Sequence, residues 1–252
     1  MWTLDIDSRP PHWRTSASLP GARLAFSTRR GGTSAPPFDS LNLGLSTADD
    51  PARVTANRAR LLSVLGVPAA RLATAGQVHG PHVTGVTAPG HHPGCDALVT
   101  TVPGLALAVT TADCMSLLYT APGAVAAAHA GWRGAAAGMP AGALAAICSR
   151  AGCSPGDVTV HLGPCIRGCC YEVGHEVARL FPEAAVRPVD GGLRLDLPTA
   201  ARLALLAAGV PEASIQDTGA CTACEPHWYF SHRRDAGVTG RMWGVAVLDA
   251  RV

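Results

Sequence analysis

Short apolar runs alternate with turns rich in Gly and Pro along most of the chain. Two runs stand close together in the middle, Leu105 to Thr111 and Ala124 to Ala128. Runs of about four to eight small and β-branched residues bounded by Gly and Pro are typical of buried strands. The same pattern predicts further strands at 24–27, 158–162, 193–197 and 242–248.

Helices are predicted where apolar residues recur at helical spacing between a capping residue and a glycine. The clearest covers about 51–65, because Asp50 can cap it, Pro51 suits its first position and Gly66 suits its end. Two more are predicted at 138–151 and 198–208, and each is followed by a glycine.

The order of these elements predicts the fold class. Strands and helices alternate without a strict βαβ rhythm, and the 252 residues contain no evident repeat or linker. This favours a single α/β (or α+β) domain over 1–252, with a mixed β-sheet core flanked by helices. The proline-rich segment 1–22 is predicted to be irregular.

Composition narrows the possible functions. Hydrophobic residues make up 48% of the chain and charged residues 15%, as in a compact globular protein. All twenty basic residues are arginine, which excludes a lysine Schiff base or a P-loop lysine. A net charge of +2 gives no support to nucleic-acid binding.

The chain lacks the signals of a membrane or secreted protein. No apolar stretch is long enough for a membrane span, and the N-terminus has no apolar signal core. We therefore expect a cytoplasmic protein, in which nine cysteines are not a disulfide framework. The one C-x-x-C, Cys221 to Cys224, has no second such pair, and the adjacent Cys169 and Cys170 fit a structural zinc site poorly. Buried structural cysteines are the favoured interpretation.

A metal site is predicted from residues at the ends of the two central runs. Cys114 follows the first run and His129 follows the second. Thiolate and imidazole ligands together suit zinc, and a catalytic zinc site has three protein ligands and an open position. The best third ligand is His79, which follows an apolar run and precedes a glycine. The other histidines considered are interpreted as a satisfied core residue, His161, or as surface residues: His12, His82, His91 and His92.

The same residues allow a different chemistry. Cys114 could be a nucleophile, with His129 or His79 as its base and the neighbouring Asp113 as an orienting or proton-transferring group. Arg133, Arg233 and Arg234 are candidates for binding an anionic substrate. Sequence alone does not separate a zinc enzyme from a cysteine hydrolase.

Several motifs in a fixed order carry a family resemblance. They are Thr28-Arg-Arg-Gly-Gly, Ser40-Leu-Asn-Leu-Gly, Asn57-Arg58, Gln77-Val-His-Gly, Thr111-Ala-Asp-Cys, Ala128-His-Ala-Gly-Trp-Arg-Gly, Leu162-Gly-Pro-Cys-Ile, Cys170-Tyr-Glu-Val-Gly, Cys221-Thr, Phe230-Ser-His-Arg-Arg-Asp and Thr239-Gly-Arg-Met. From about residue 24 to residue 248 the chain resembles the laccase-domain family, also called the YfiH-type or polyphenol-oxidase family, now described as purine nucleoside phosphorylases.

The resemblance implies a single α/β domain with zinc held by His79, Cys114 and His129. It also implies phosphorolysis of adenosine, inosine, guanosine and S-methyl-5′-thioadenosine, together with deamination of adenosine. The expected partners are thus purine nucleosides and phosphate, with neither nucleic acid nor membrane, for a monomer or small homo-oligomer. The predicted catalytic residues are the three ligands and Asp113.

The predicted substrate-binding residues rest on their side-chain chemistry. Arg29 and Arg58, with the turn at Gly31 and Gly32, are candidates for phosphate, and Asn42 is a candidate for hydrogen bonding to ribose or base. The chain departs from the family pattern at two motifs: Met115-Ser116 replaces Leu-Pro after Ala-Asp-Cys, and Tyr229-Phe-Ser-His-Arg-Arg replaces Phe-Phe-Ser-Tyr-Arg-Arg. Both leave the predicted ligands intact and put the preferred base in doubt.

Two alternatives stay open beside the phosphorylase. A cysteine hydrolase with Cys114 as nucleophile would fit peptidoglycan precursor editing, with which relatives in the family have been linked. A copper polyphenol oxidase is less favoured, because it needs clustered histidines and the ten histidines include no His-x-His. Copper can nevertheless occupy the same three ligands in vitro.

Overall fold

The computed structural model describes residues 1–15 and 21–249. Its strands, in chain order, are β1 (Trp2–Asp5), β2 (His12–Thr15), β3 (Ala22–Ser27), β4 (Leu72–Ala75), β5 (Val83–Gly85), β6 (Gly90–His92), β7 (Ala97–Thr100), β8 (Ala106–Thr111), β9 (Met115–Ala121), β10 (Ala124–Ala130), β11 (Thr159–Leu162), β12 (Glu172–Val173), β13 (Val186–Val189), β14 (Gly192–Leu195), β15 (Ile215–Asp217) and β16 (Met242–Leu248). Its helices are α1 (Pro51–Val64), α2 (Trp132–Ala136), α3 (Met139–Ala151), α4 (His175–Ala178) and α5 (Leu197–Ala207).

The strands form two large mixed sheets and one small antiparallel sheet within the described residues. The seven-stranded sheet has the order β1-β2-β3-β16-β8-β4-β6, and the six-stranded sheet has the order β15-β11-β9-β10-β7-β5. Strand β4 runs parallel to β6 and β8, whereas β16 is antiparallel to β3 and β8. The small sheet is β12-β14-β13. The predicted single α/β domain with a mixed sheet is confirmed.

The two large sheets pack face to face, and helices cover their outer faces. In β10, Val125 and Ala127 face the apolar cluster between the sheets, which also contains Leu107 of β8. The alternate residues Ala126 and Ala128 belong to a second cluster that includes α3 and α5. Helix α1 covers the outer face of the seven-stranded sheet. A strand covered on both faces is apolar throughout, which is why the central runs do not alternate with polar residues.

The predicted helices form close to their expected limits. The Asp50 side chain accepts a 2.8 Å hydrogen bond from the backbone N–H of Ala52 at the start of α1. Gly152 ends α3 with φ +64°, a left-handed conformation that glycine adopts without strain. The strands predicted from apolar runs are also present, although the one expected at 193–197 ends at Leu195, since α5 begins at Leu197.

Three local predictions are wrong. Segment 1–22 was predicted to be irregular, but it contains β1 and β2, which pair with each other and continue through β3 into the sheet. His12, predicted at the surface, is 4% exposed. His161 is buried as expected but not satisfied: within residues 1–15 and 21–249 neither ring nitrogen has a hydrogen-bond partner, and the ring lies edge-on to Trp2. Sequence patterns carried no sign of these long-range pairings.

The fold brings one set of strand ends together. Strands β4 and β8 of the seven-stranded sheet and β10 of the six-stranded sheet end beside one cavity. Residues 1–15 and 21–249 contain no helix of the length and apolarity that a membrane crossing requires.

Candidate active site

Three ligand side chains meet where these strands end. Cys114 lies in the turn between β8 and β9, His129 is near the end of β10, and His79 is in the loop after β4. The atoms that can bind a metal all lie within 4.8 Å of one another. The two imidazole rings are 5.0 Å apart between centroids and nearly perpendicular, at 85°. The structure therefore brings together the predicted trio of His79, Cys114 and His129.

A buried carboxylate, Asp96, fixes the two histidine-bearing segments. Its side chain accepts a 2.9 Å hydrogen bond from Nδ1 of His129 and bonds from three successive backbone N–H groups, at Val78, His79 and Gly80. Because Nδ1 of His129 is engaged, Nε2 is the nitrogen left to face Cys114. A carboxylate behind a ligand histidine is a common way to fix its ring and tautomer.

The charges of the trio support one another. Burial raises the pKa of the Cys114 thiol, but His129 and His79 beside it outweigh burial and lower that pKa below its ordinary value. Burial lowers the pKa of the His129 imidazole, while Cys114 and Asp96 raise it above its ordinary value. Cys114 is thus held as a thiolate, the form that binds metals and attacks electrophiles.

Gly131 gives the trio room. A Cβ at this position would lie 2.8 Å from the Cys114 Sγ and 3.4 Å from the His79 ring. Only a residue without a side chain leaves both ligands in place. This close approach explains why glycine follows the His129-Ala130 pair at the end of β10.

Gly131→Ala is expected to lower metal occupancy and any activity of the site by at least about 10-fold, because the new methyl group displaces two ligand atoms. The matched control is Gly142→Ala within α3, where a Cβ would meet nothing closer than 3.9 Å. Metal analysis and activity of both variants check this. Equal occupancy in the two variants would contradict the close approach.

The donor set fits zinc. One thiolate and two imidazoles are borderline-soft ligands of the kind that zinc prefers, and three protein ligands leave a fourth position for substrate or water. His79 is on the exposed side of the trio, Cys114 is half-buried and His129 is buried. The trio is therefore open towards the cavity and closed towards the core.

The cavity beside the trio has a volume of about 880 Å³, within the range of small-molecule sites. Four arginines line it, together with the rings of Trp132 and Tyr171: Arg58, Arg133, Arg233 and Arg241. The Arg58 guanidinium stacks 4.7 Å from the Trp243 ring centroid, and burial lowers its pKa to about 10, so it stays charged at neutral pH. Such a cavity suits an anion beside an aromatic group.

The Asp113 carboxylate bonds to residues outside the trio, although Asp113 directly precedes Cys114 in the chain. Its carboxylate accepts hydrogen bonds from the hydroxyls of Thr222 and Ser231, at 2.6 and 3.0 Å, and from the backbone N–H of Arg233 at 2.7 Å. It ties one wall of the cavity to the turn that carries Cys114. The imidazole-orienting carboxylate is Asp96 instead, so the expectation that Asp113 orients a ligand imidazole is wrong.

The predicted substrate-binding residues have different surroundings. Arg58 lines the cavity, whereas Arg29 is engaged with Asp39 outside that lining. Asn42 is fully buried, and its Oδ1 accepts a 2.8 Å bond from the backbone N–H of Arg241. It can act on the cavity through Arg241, but its placement gives no support for direct contact with ribose or base.

Among the arginines predicted to bind an anion, Arg133 and Arg233 line the cavity, while Arg234 pairs with Asp235. Sequence reasoning missed Asp96 and Arg241. Asp96 had one available signal, a charged residue directly before the apolar run of β7. Arg241 belongs to the Thr239-Gly-Arg-Met motif, but nothing local in the sequence shows that it faces the cavity, because its neighbours there come from distant segments.

Comparisons with known proteins show the family to which the chain is related. Residues 23–249 match the family model described as multi-copper polyphenol oxidoreductase laccase. The chain is 40% identical over 242 residues to purine nucleoside phosphorylase YlmD of Geobacillus stearothermophilus, with 88% of each chain covered. It is 43% identical over 233 residues to a purine nucleoside phosphorylase of Deinococcus radiodurans, covering 90% of this chain and 89% of that one.

Solved structures show the same fold. The crystal structure of YlmD from Geobacillus stearothermophilus has a TM-score of 0.93 at 37% identity and covers 99% of this chain and 100% of its own. The structure of the Bacillus licheniformis hypothetical protein YfiH has a TM-score of 0.90 at 32% identity, with 98% and 99% covered. The match over nearly the whole chain, together with the preserved fold, shows that this chain belongs to the YfiH-type laccase-domain family, whose model carries the name multi-copper polyphenol oxidoreductase laccase.

Proposed function

We propose that this chain is a zinc-dependent purine nucleoside phosphorylase acting on adenosine, inosine, guanosine and S-methyl-5′-thioadenosine, with an adenosine deaminase side activity. The observation that carries the proposal is the cavity in which the ligand trio and four arginines face one space. The names of the relatives at about 40% identity support the phosphorylase class.

Phosphorolysis places two demands on a site. A phosphate oxygen attacks C1′ of the ribose while the bond from C1′ to the purine nitrogen breaks, so the phosphate must be held on one face and the departing purine must receive charge stabilisation or a proton on the other. The arginines supply the first function, since guanidinium groups bind phosphate oxygens in a bidentate manner. Arg58 and Arg241 are the leading candidates. Both line the cavity and are held by backbone carbonyls, and neither is stacked on Trp132 or Tyr171, the aromatic rings of the lining.

The trio supplies the second function. Zinc held by His79, Cys114 and His129 would be a Lewis acid with an open position, able to polarise a purine atom or lower the pKa of water, which adenosine deamination requires. The protein's own part is positional: Asp96 fixes the His129 ring, and Gly131 keeps the approach to Cys114 open.

Aromatic side chains in the cavity suit a purine. Trp132 and Tyr171 line it, and each is stacked against an arginine, Arg133 at 4.3 Å and Arg233 at 5.2 Å between guanidinium carbon and ring centroid. An aromatic surface next to fixed positive charge can bind a base and a phosphate side by side. His232, where the family pattern has a tyrosine, also lines the cavity and is the first residue to test for base preference.

The test is the reaction itself. With inosine and phosphate we expect hypoxanthine and ribose 1-phosphate, measured by a coupled hypoxanthine assay, and no product without phosphate. Adenosine, guanosine and S-methyl-5′-thioadenosine are assayed in the same way, and release of inosine from adenosine measures deamination. Absence of phosphate-dependent product from all four nucleosides would overturn the proposal.

A cysteine hydrolase is the second candidate, and the contact between Cys114 and two imidazoles favours it. A thiolate beside His129 is also the arrangement of a nucleophile and its base. Metal content separates the two: metal-free active protein whose Cys114 reacts stoichiometrically with iodoacetamide would favour the hydrolase. A multi-copper oxidase has less support, because the second metal-ligand group among residues 1–15 and 21–249 contains only cysteines and no further histidine cluster.

A further inference from the structure

A second cluster of ligand side chains lies apart from the trio. Cys169, Cys170, Cys221 and Cys224, here called the cysteine quartet, have all four sulfur atoms within 4.8 Å of one another. The quartet joins two segments that are about fifty residues apart in sequence. The interpretation of these residues as buried structural cysteines is wrong for Cys169 and Cys224, which are exposed.

The sulfur contacts link the quartet into one group. The Sγ of Cys169 is 3.4 Å from that of Cys221 and 3.5 Å from that of Cys224, and Cys170 and Cys224 are 3.2 Å apart. Cys169 and Cys224 each contact two partners, so the four sulfur atoms form one connected group. Zinc–sulfur bonds of about 2.3 Å place the sulfurs of a tetrahedral site roughly 3.8 Å apart, close to the observed spacing.

Two backbone turns carry the quartet. Cys221 to Cys224 form a turn closed by a 3.2 Å bond from the Glu225 N–H to the Cys221 carbonyl, and a second turn joins Cys170 to Arg167. The two turns present their four sulfur atoms to one shared space.

Packing does not explain the quartet. None of its four residues belongs to the apolar clusters formed by the described part of the chain, although Cys165, nearby in sequence, does. An exposed thiol contributes little to a core, so a shared ligand explains better why four thiols meet at this place.

We propose that Cys169, Cys170, Cys221 and Cys224 form a closed, four-thiolate site for a structural zinc ion. Four sulfur ligands in a tetrahedron select zinc or iron, and the short distances favour a single ion over a multi-iron cluster, which would spread the thiolates over several irons. The adjacent Cys169 and Cys170 take the place of the second C-x-x-C that zinc sites usually contain.

The site would fasten two loops that support one side of the active-site cavity. Tyr171 follows Cys170 directly, and the Arg233 guanidinium donates to the carbonyl of Glu172 at 2.9 Å. On the other loop, Thr222 lies between the cysteines and donates to Asp113. A zinc ion holding both loops would keep Tyr171 and Arg233 in place, while the trio performs the chemistry elsewhere in the cavity.

The first experiment compares two double variants. Cys170→Ser/Cys224→Ser is expected to contain one zinc equivalent less than the wild type and to have a Tm lower by at least about 5 °C. Cys148→Ser/Cys153→Ser, which removes two half-buried thiols at the end of α3, is the control and should keep both values. Equal zinc content in the wild type and the quartet variant would overturn the proposal.

The second experiment needs no quartet variant. Native wild-type protein is treated with iodoacetamide with and without a zinc chelator, and alkylated cysteines are identified by peptide mass mapping. Cys169 and Cys224 are exposed, so as free thiols they would be alkylated at the same rate with and without the chelator; protection that the chelator removes supports the site. Rapid alkylation without chelator, or intact mass showing disulfides in the quartet, overturns it.

X-ray absorption identifies the ion and its ligands. In a Cys114→Ala background, which disables the trio, zinc remaining on the protein should show four sulfur neighbours at about 2.3 Å and no nitrogen. A mixed nitrogen and sulfur shell would overturn the proposal, and an iron edge in place of a zinc edge would overturn its choice of metal.

Discussion

Cys114→Ala is expected to abolish phosphorolysis and to remove one zinc equivalent. Cys114 is the only sulfur atom of the trio, and its removal leaves two imidazoles, one ligand fewer than a catalytic zinc site uses. Loss of an outer-sphere partner of a metal typically costs about 10–100-fold, so loss of a ligand should cost more. The coupled hypoxanthine assay and elemental analysis measure both effects.

The control for this variant is Cys153→Ala, which removes another half-buried thiol that packs at the edge of the core beside α3. It should keep full zinc content and turnover. Unchanged turnover in Cys114→Ala, with the control behaving as expected, would defeat the assignment of Cys114 to the active site. Lost turnover with unchanged zinc would favour the cysteine hydrolase.

Asp96→Asn is the second large effect that we expect. The carboxylate is fully buried and accepts hydrogen bonds from His129 and from the backbone at Val78, His79 and Gly80. The asparagine side chain has the same shape but only one accepting oxygen. Its amide NH₂ is a donor and would face N–H groups that need an acceptor. We expect turnover to fall about 10–100-fold and the free energy of unfolding to fall by about 3 kcal/mol.

The stability effect of Asp96→Asn should depend on pH. Burial raises the pKa of Asp96, but bonds from His129 and from the backbone at Gly80 and His79 lower it below the value of an unfolded aspartate. A lowered pKa stabilises the folded state above the unfolded-state pKa, about 3.9, and this stabilisation is lost as pH falls through the lower, folded value.

The difference in unfolding free energy between wild type and Asp96→Asn should therefore be largest at neutral pH and shrink below about pH 4. Denaturant titrations at several pH values measure it. Asp157→Asn, at an exposed carboxylate that bonds to Ser154, is the control and should have a small effect. A difference that grows on acidification would show that Asp96 is not a carboxylate stabilised by its donors.

The sequence predicts His79, Cys114 and His129 as a group for a physical reason. Cys114 and His129 each follow a buried strand, and strand ends in one domain tend to meet at a cleft. The chemistry of thiolate and imidazole then indicates zinc, and His79 is selected as the third ligand by its position before a glycine. Local pattern and ligand chemistry were enough to choose these three residues, but they did not separate a zinc site from a cysteine nucleophile with its base.

The residues that support the trio and line the cavity could not be predicted from the sequence, because their roles depend on residues far away in the chain. In the sequence, Asp96 is simply an acidic residue that precedes a strand. Only the folded chain brings the three backbone N–H groups of residues 78–80 and the His129 ring to its carboxylate. Arg29 and Arg58 are alike in sequence, yet Arg58 enters the cavity while Arg29 binds Asp39. Side-chain direction, which depends on packing, decides between them.

The cysteine quartet shows the same limit. In sequence, Cys169-Cys170 and the C-x-x-C at 221–224 are two unrelated pairs, and the first does not have metal-ligand spacing. The parallel contact between Cys165 and Cys221 places the two turns side by side, and this is a tertiary fact.

The sequence by itself determined the α/β class, the helix limits at Asp50 and Gly152, the buried strands and the choice of His79, Cys114 and His129 as candidate ligands. These follow from periodicity, capping and donor chemistry, which are properties of neighbouring residues. Only the tertiary structure decided the N-terminal strand pairing, the part played by Asp96, which arginines face the cavity and the meeting of four thiols. Each of these depends on contacts between residues far apart in the chain, whose geometry exists only after both sheets have packed.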